Sequence, residues 1–354
     1  MAGKITHIES LSQAIKLLEH GTADQKKLAR LLDSPHTRNY SFFGSIAPDL
    51  FYFYHVLSSR KNKKARDWGD IFHHEQACEL MLNMLDLASQ EKQLVTRERL
   101  FSFIMGYICH SVVDVITHPY IFYISGDYYN ADLKISSEAQ LNHLKTEFQL
   151  DAYLIFNRWG IRPEEYDFLQ YVELNEKNIP NFLWKFWQDS IENTYTKYFH
   201  GNYIGSKIKI IPGDLLNDSY EGYLEFHQKI DSRNSYLRTF LNLLDKMSMS
   251  KVQSSVLVLP LVEELNPKIM NLEKKEWSYP AEPNKKKNSS YIDLVHEASH
   301  KSKEVLTEAY VYLQNPNQEL RNSILEKYSG YNLDTGLKNV GHEMMKNFSP
   351  MDKL

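Results

Sequence analysis

Apolar residues recur at steps of three and four along most of this chain, the period of helices that bury one face. In THIESLSQAIKLLEH, residues 6–20, His7, Leu11, Ala14 and Leu18 fall on one face, flanked by Ile8 and Ile15. Thr6 and Glu9 have capping-box spacing, which predicts a helix start there with His7 turned toward the core. NYSFFGSIAPDLFYFY passes from loop to helix, punctuated by Gly44 and Pro48. IFHHEQACELMLNMLDLASQ predicts a helix, and the next runs from about Glu98 to His118 and ends near Pro119. SSEAQLNHLKTEFQLDAYLIF predicts another, with Leu141, Leu144, Phe148 and Leu154 as its apolar markers. Beyond Arg162 helical segments alternate with Asn, Pro and Gly breaks. PAEPNKKKNSS, residues 280–290, has the composition of a solvated linker, and a final pair of helices follows it. YIGSKIKIIPG is β-like but short, and SSVLVLPLVEEL fits strand or helix. The pattern predicts an all-α fold.

Composition narrows the class. The 354 residues carry 24% charged side chains, a net charge of −4 and a mean hydropathy of −0.48. Such a near-neutral chain has no electrostatic footprint for duplex nucleic acid, and no stable nucleic-acid complex is expected. Two cysteines, Cys78 and Cys109, cannot form a disulfide framework and read as reduced core residues. No apolar signal segment follows Met1, so a cytoplasmic protein is expected. The uncharged run Leu100 to Val113 falls short of the ~20 residues that span a bilayer, so no transmembrane segment is expected.

The chemistry begins inside that run. GYICHSVVDVITHP places His110, Asp114 and His118 at two steps of four, on one stripe of an otherwise apolar helix. An unpaired imidazole or carboxylate is costly there. His7, Asp49, His73, His74, His143 and Glu147 also sit in apolar helical surroundings, and His143 with Glu147 repeats the i, i+4 pairing. Imidazoles and carboxylates on inward helix faces make up the ligand set of a zinc site. Their number exceeds the need of one tetrahedral ion, which points to a multi-metal cluster. Taken singly, each is equally well explained as a hydrogen-bonded core residue or a helical ion pair, but then each needs its own partner.

ITH, GSIAPD, FHHE, GYICHSVVDVITHP and HLKTE, in this order over residues 1–155, resemble the motifs of the zinc-dependent phospholipase C family, related to the S1/P1 nucleases. The resemblance implies a multi-helix phospholipase C/P1 nuclease-like bundle over residues 1–200, with a helical C-terminal region over 201–354. It implies two or three Zn2+ ions and a phospholipid headgroup or other phosphodiester as substrate. Asp49, His73, His110 and Asp114 would hold the first ion; His118, His143 and Glu147 the second; His7 the third, with Asp114 bridging. His73 is preferred to His74 because the family histidine follows the apolar residue directly. Family members complete the third position with an N-terminal amine, often of a Trp; here the amine of Ala2, after loss of Met1, is expected to do so. Asp49 is expected to act both as ligand and as general base toward the attacking water, whose pKa zinc lowers to about 7.

Two further features bear on substrate and chemistry. Leu50 stands where choline-preferring relatives carry a Tyr after the loop Asp, which weakens a phosphatidylcholine assignment. A nuclease or 3′-nucleotidase with the same metals, and a metal-binding scaffold without turnover, remain the alternatives. HEASH, residues 296–300, matches the H-E-x-x-H zinc motif, yet both histidines point away from the face marked by Leu294, Ala298, Val305 and Ala309.

Overall fold

The computed structural model describes residues 3–57, 63–174, 177–248 and 253–351. Helices α1 (Lys4–Glu19), α2 (Ala23–Leu32) and α3 (Arg38–Gly44) lead into a 3-10 turn, Ala47–Phe53, and then α4 (Lys63–His74) and α5 (Ala77–Ser89). The long helices α6 (Leu94–Ser125) and α7 (Leu133–Trp159) follow. After them come α8 (Leu169–Val172), α9 (Asn181–Thr194), α10 (Thr196–Asn202), α11 (Leu215–Lys229) and α12 (Ser235–Met247). A hairpin of β1 (Trp277–Tyr279) and β2 (Glu282–Lys287) precedes α13 (Tyr291–Gln314) and α14 (Gln318–Tyr328). A second small hairpin pairs β3 (Tyr331–Asn332) with β4 (Leu337–Lys338). The fold is all-α, with sheets reduced to these two ribbons.

The apolar run organises the rest. From Leu100 to Ser125 nearly every side chain of α6 is buried, and α1, α3, α5, α7 and α13 all pack against it. It is the one described helix long and apolar enough to cross a membrane, but 89% of its most apolar window is covered by the other helices. The closest approach is backbone to backbone. A Cβ on Gly106 would lie 1.9 Å from the Ser41 carbonyl oxygen, and one on Gly44 2.1 Å from that of Phe103. Only glycine at both positions lets α3 and α6 meet so closely.

Four expectations from the sequence are corrected. Pro119 does not end α6, which continues to Ser125. An internal proline costs about 3 kcal/mol, but Tyr120, Ile121, Phe122 and Ile124 are all buried beyond it, and each such side chain returns roughly 1.5–3 kcal/mol. Residues 280–290 are not a linker: β2 pairs with β1, whose Trp277 and Tyr279 are buried. Its lysines are held by partners, Lys285 over the Tyr279 ring at 4.0 Å, Lys286 2.8 Å from Glu276 and Lys287 2.8 Å from Glu297. YIGSKIKIIPG forms no strand, and SSVLVLPLVEEL folds into 3-10 turns, Ser254–Leu257 and Val262–Glu264.

The fourth correction concerns the start of α1. Thr6 and Glu9 form no capping box; both lie inside the helix, and Gly3 is the N-cap without a side-chain bond. The first turn is capped from α7 instead. Asp151 accepts from Ile5 N at 3.1 Å and from Thr6 N and Oγ1 at 3.0 and 3.2 Å. A Cβ on Gly3 would lie 2.2 Å from Asp151 Oδ1, so glycine leaves room for the carboxylate. Thr6 Oγ1 also meets the Tyr291 hydroxyl, while Glu9 accepts from Arg158 and Trp159. Asp151→Ala would leave buried N–H donors unpaired, at 1–3 kcal/mol each, so a loss of about 3 kcal/mol is expected in urea denaturation. Asp151→Asn, which keeps one acceptor oxygen, is expected to lose less.

The C-terminal elements share the same core. Helix α13 lies along α1 and α6, and α11 covers the Ala47–Phe53 turn. Cys78 and Cys109 are buried free thiols, both pushed up to about 12 by burial.

Candidate metal centre

Four elements converge on one stripe of α6. His110, Asp114 and His118 are each fully buried. Helix α1 brings His7, the Ala47–Phe53 turn brings Asp49, the last turn of α4 brings His73, and α7 brings His143 and Glu147. Asp114 stands at the centre. Its Oδ1 lies 3.3 Å from His7 Nε2 and 3.2 Å from His118 Nε2; its Oδ2 lies 3.0 Å from His110 Nε2 and 3.5 Å from His73 Nε2. Asp49 Oδ1 is 3.2 Å from His73 Nε2 and 3.8 Å from His110 Nε2. The His7 and His110 rings stack at 4.1 Å.

The backbone decides which way these rings point. His110 Nδ1 donates to the Ser45 carbonyl at 2.9 Å, His73 Nδ1 to Gly69 at 2.8 Å, and His118 Nδ1 to Leu333 at 3.1 Å. A carbonyl oxygen can only accept, so each Nδ1 carries a hydrogen and each neutral ring presents a bare Nε2 lone pair inward. His110 and His73 Nε2 are only 3.4 Å apart. Lone pairs this close to one another and to two carboxylates repel unless a cation lies among them. Both nitrogens of His7 and the Nε2 of His118 are buried without a hydrogen bond, which dry protein interiors rarely tolerate. The donor set of imidazoles and carboxylates suits zinc. The ligand atoms of His7, His110 and Asp114, and those of Asp49, His73 and His110, lie within 4.8 Å of one another in each group.

Electrostatics point the same way. Burial alone would raise the Asp114 carboxyl, yet His118, His110 and His7 hold it well below the usual carboxylate range. Burial works against a charged His73, but Asp49 and Asp114 override it and lift that imidazole above its ordinary value. Burial leaves His118 below its ordinary value despite Asp114. Around Asp114 and Asp49 the site therefore favours positive charge, while burial disfavours it on the His118 ring itself.

His143 and Glu147 stand slightly apart. They meet each other at 3.0 Å, and the His143 ring lies 6.2 Å from that of His118. His74 turns away from the cluster, its Nε2 2.8 Å from Asp334 Oδ2, whereas His73 points in. The Ala2 amine lies outside the described residues. His296 and His300 are exposed on the outer face of α13. A cleft of about 310 Å3 reaches the cluster, lined by Tyr52, Tyr54, Phe122, Tyr128 and Tyr129 together with His73, His143, Glu147, Asp334, Arg66 and Asp70.

Sequence reasoning missed two acidic side chains around this centre. Asp151 continues the His143–Glu147 stripe by one more step of four, and that spacing was a signal for it. Asp334 had none, because no helical period connects NLDTG to residues more than 200 positions earlier.

No curated protein and no solved structure matches this chain. A family model does: that of zinc dependent phospholipase C covers residues 6–204, more than half of the chain and all eight of the converging side chains, and the protein belongs to that family.

Proposed function

We propose that this protein hydrolyses phosphodiesters of the phospholipid class with two or three zinc ions. The reading is carried by the inward lone pairs of His73, His110 and His118 around the Asp49 and Asp114 carboxylates. Asp49, His73, His110 and Asp114 would hold the first ion, His118, His143 and Glu147 the second, and His7 with Asp114 the third. Zinc supplies the positive charge that makes water nucleophilic near neutral pH and offsets the charge on phosphoryl oxygens. The chain supplies geometry and proton handling. Asp49 sits on the turn nearest the cleft and is the one carboxylate of the central group with residual exposure, 6% against none for Asp114. That residual exposure favours Asp49 as the group that accepts a proton from the attacking water. The Tyr52, Phe122, Tyr128 and Tyr129 rings line the way in and favour a substrate with an apolar or cationic group beside its phosphate.

The test is zinc content together with turnover on phospholipids, single-stranded DNA, a 3′-nucleotide and a chromogenic diester. Release of a phosphorylated headgroup supports the reading. Strand scission without it would transfer the site to a nuclease, and no turnover by zinc-loaded protein would leave a scaffold. Asp49→Asn is expected to lower kcat about 10²-fold, within the range of a lost acid–base group, with the fold intact by circular dichroism.

A further inference from the structure

The loop between β3 and β4 reaches the metal centre from the far end of the chain. Asn332 Oδ1 accepts from Asp334 N at 3.1 Å and Thr335 N at 3.0 Å, and Gly336 turns the chain at φ +64°. These bonds fix the loop tip. Its approach to α6 depends on two residues. Pro119 cannot donate to the Val115 carbonyl one turn before it, and a Cβ on Gly336 would lie 2.3 Å from that same oxygen. Glycine is therefore required where the loop crosses the proline.

At the tip, the Leu333 N–H donates to the His73 carbonyl at 2.8 Å and the Leu333 carbonyl accepts from His118 Nδ1 at 3.1 Å. Asp334, 4% exposed, sets Oδ1 3.3 Å from the same Nδ1 and Oδ2 2.8 Å from His74 Nε2, and it also accepts from the Tyr129 hydroxyl. A carboxylate behind an imidazole fixes the ring and makes its opposite nitrogen a stronger donor to a metal. Here that opposite nitrogen is the His118 Nε2 that faces Asp114.

From this arrangement we infer that Asp334, outside the span matched by the family model, is a positioning residue that sets how tightly the His118–His143–Glu147 position holds its ion. The inference rests on the zinc reading of the centre. Removing the carboxylate charge leaves the Leu333 carbonyl to orient the ring, so the loss falls on metal affinity more than on ring placement. His74 shares Asp334 but touches no member of the cluster through Nε2, and its removal leaves the Asp334–His118 contact in place.

The experiment compares full-length wild type, Asp334→Asn and His74→Ala by competitive titration of zinc against a chromophoric chelator and by the visible spectrum of the cobalt(II)-substituted protein. Asp334→Asn is expected to weaken one class of zinc site 10- to 100-fold, the usual cost of losing a partner behind a ligating His, and to shift the cobalt bands. His74→Ala is expected to keep wild-type affinity and spectrum. Unchanged zinc affinity in Asp334→Asn, or an equal loss in His74→Ala, would overturn the inference while leaving the zinc reading intact. Wild-type protein that binds no zinc would overturn both. Wild type that binds zinc but turns over no substrate removes the hydrolase alone, since the titration does not depend on activity.

Discussion

Asp114→Asn is expected to reduce turnover by about 10³-fold or more, equivalent to roughly 4 kcal/mol of lost transition-state stabilisation, and to cost at least one bound zinc per chain. No other side chain in the centre does as much at once. Each of its oxygens approaches two imidazole nitrogens, so one carboxylate ties His7 and His118 on one side to His73 and His110 on the other. Asparagine keeps the shape but withdraws the charge and replaces one carboxylate oxygen with an N–H2 that has no lone pair to offer a cation. The metal-free variant suffers as well, because breaking a buried charge pair by removing one partner typically costs about 3–5 kcal/mol. Elemental zinc analysis beside kcat on a diester, with denaturant melts in chelator, separates the two losses. Wild-type zinc content in this variant would remove Asp114 from the centre of the cluster.

Chelation is expected to lower the melting temperature by several degrees, and the gap between zinc-loaded and chelated protein is expected to widen from pH 6 to pH 8.5. Ligand at a thousand times its dissociation constant stabilises by about 4 kcal/mol. The pH trend follows from two opposite signs. In the metal-free protein His73 is raised by Asp49 and Asp114, so its contribution is complete below the unfolded value of ~6.5 and fades as pH rises through the folded one. Asp114 is depressed, so its contribution is present above the unfolded value of ~3.9 and is lost only in strong acid, outside this window. Zinc needs the imidazoles deprotonated, and its contribution grows over the same rise in pH, by up to about 1.4 kcal/mol per unit for each displaced proton. A gap that stays constant or narrows toward pH 8.5 would mean that protons and metal do not compete at these imidazoles.

What was legible in the sequence depended on periodicity. His110, Asp114 and His118 stood out because polar residues at steps of four on an apolar helix mark out a single face. The pairing of His143 with Glu147 was legible for the same reason, although the buried face of α7 is carried by Ala139, Thr146, Leu150 and Asp151, with Leu141 and Leu144 only half-buried. Local punctuation misled where tertiary packing outweighed it. Pro119 reads as a stop only in a helix whose next turn is exposed, and the lysines of β2 read as a linker because a ribbon with one wet strand looks polar. The capping box failed because α1 starts earlier, at Lys4, where Asp151 accepts from the Ile5 and Thr6 N–H groups, so Thr6 and Glu9 both lie inside the helix. Contacts such as that of Leu333 with His118 join residues 215 positions apart and leave no periodic trace.

That last contact bears on the order in which a ribosome could assemble the centre. Every imidazole and carboxylate of the cluster emerges before residue 160, on α1, α4, α6, α7 and the Ala47–Phe53 turn, yet the carbonyl that fixes the His118 ring is translated only after α14. A nascent chain arrested short of Leu333 would lack the carbonyl that orients the His118 ring. On the proposed zinc reading, the full geometry of that position would be reached only near completion of synthesis.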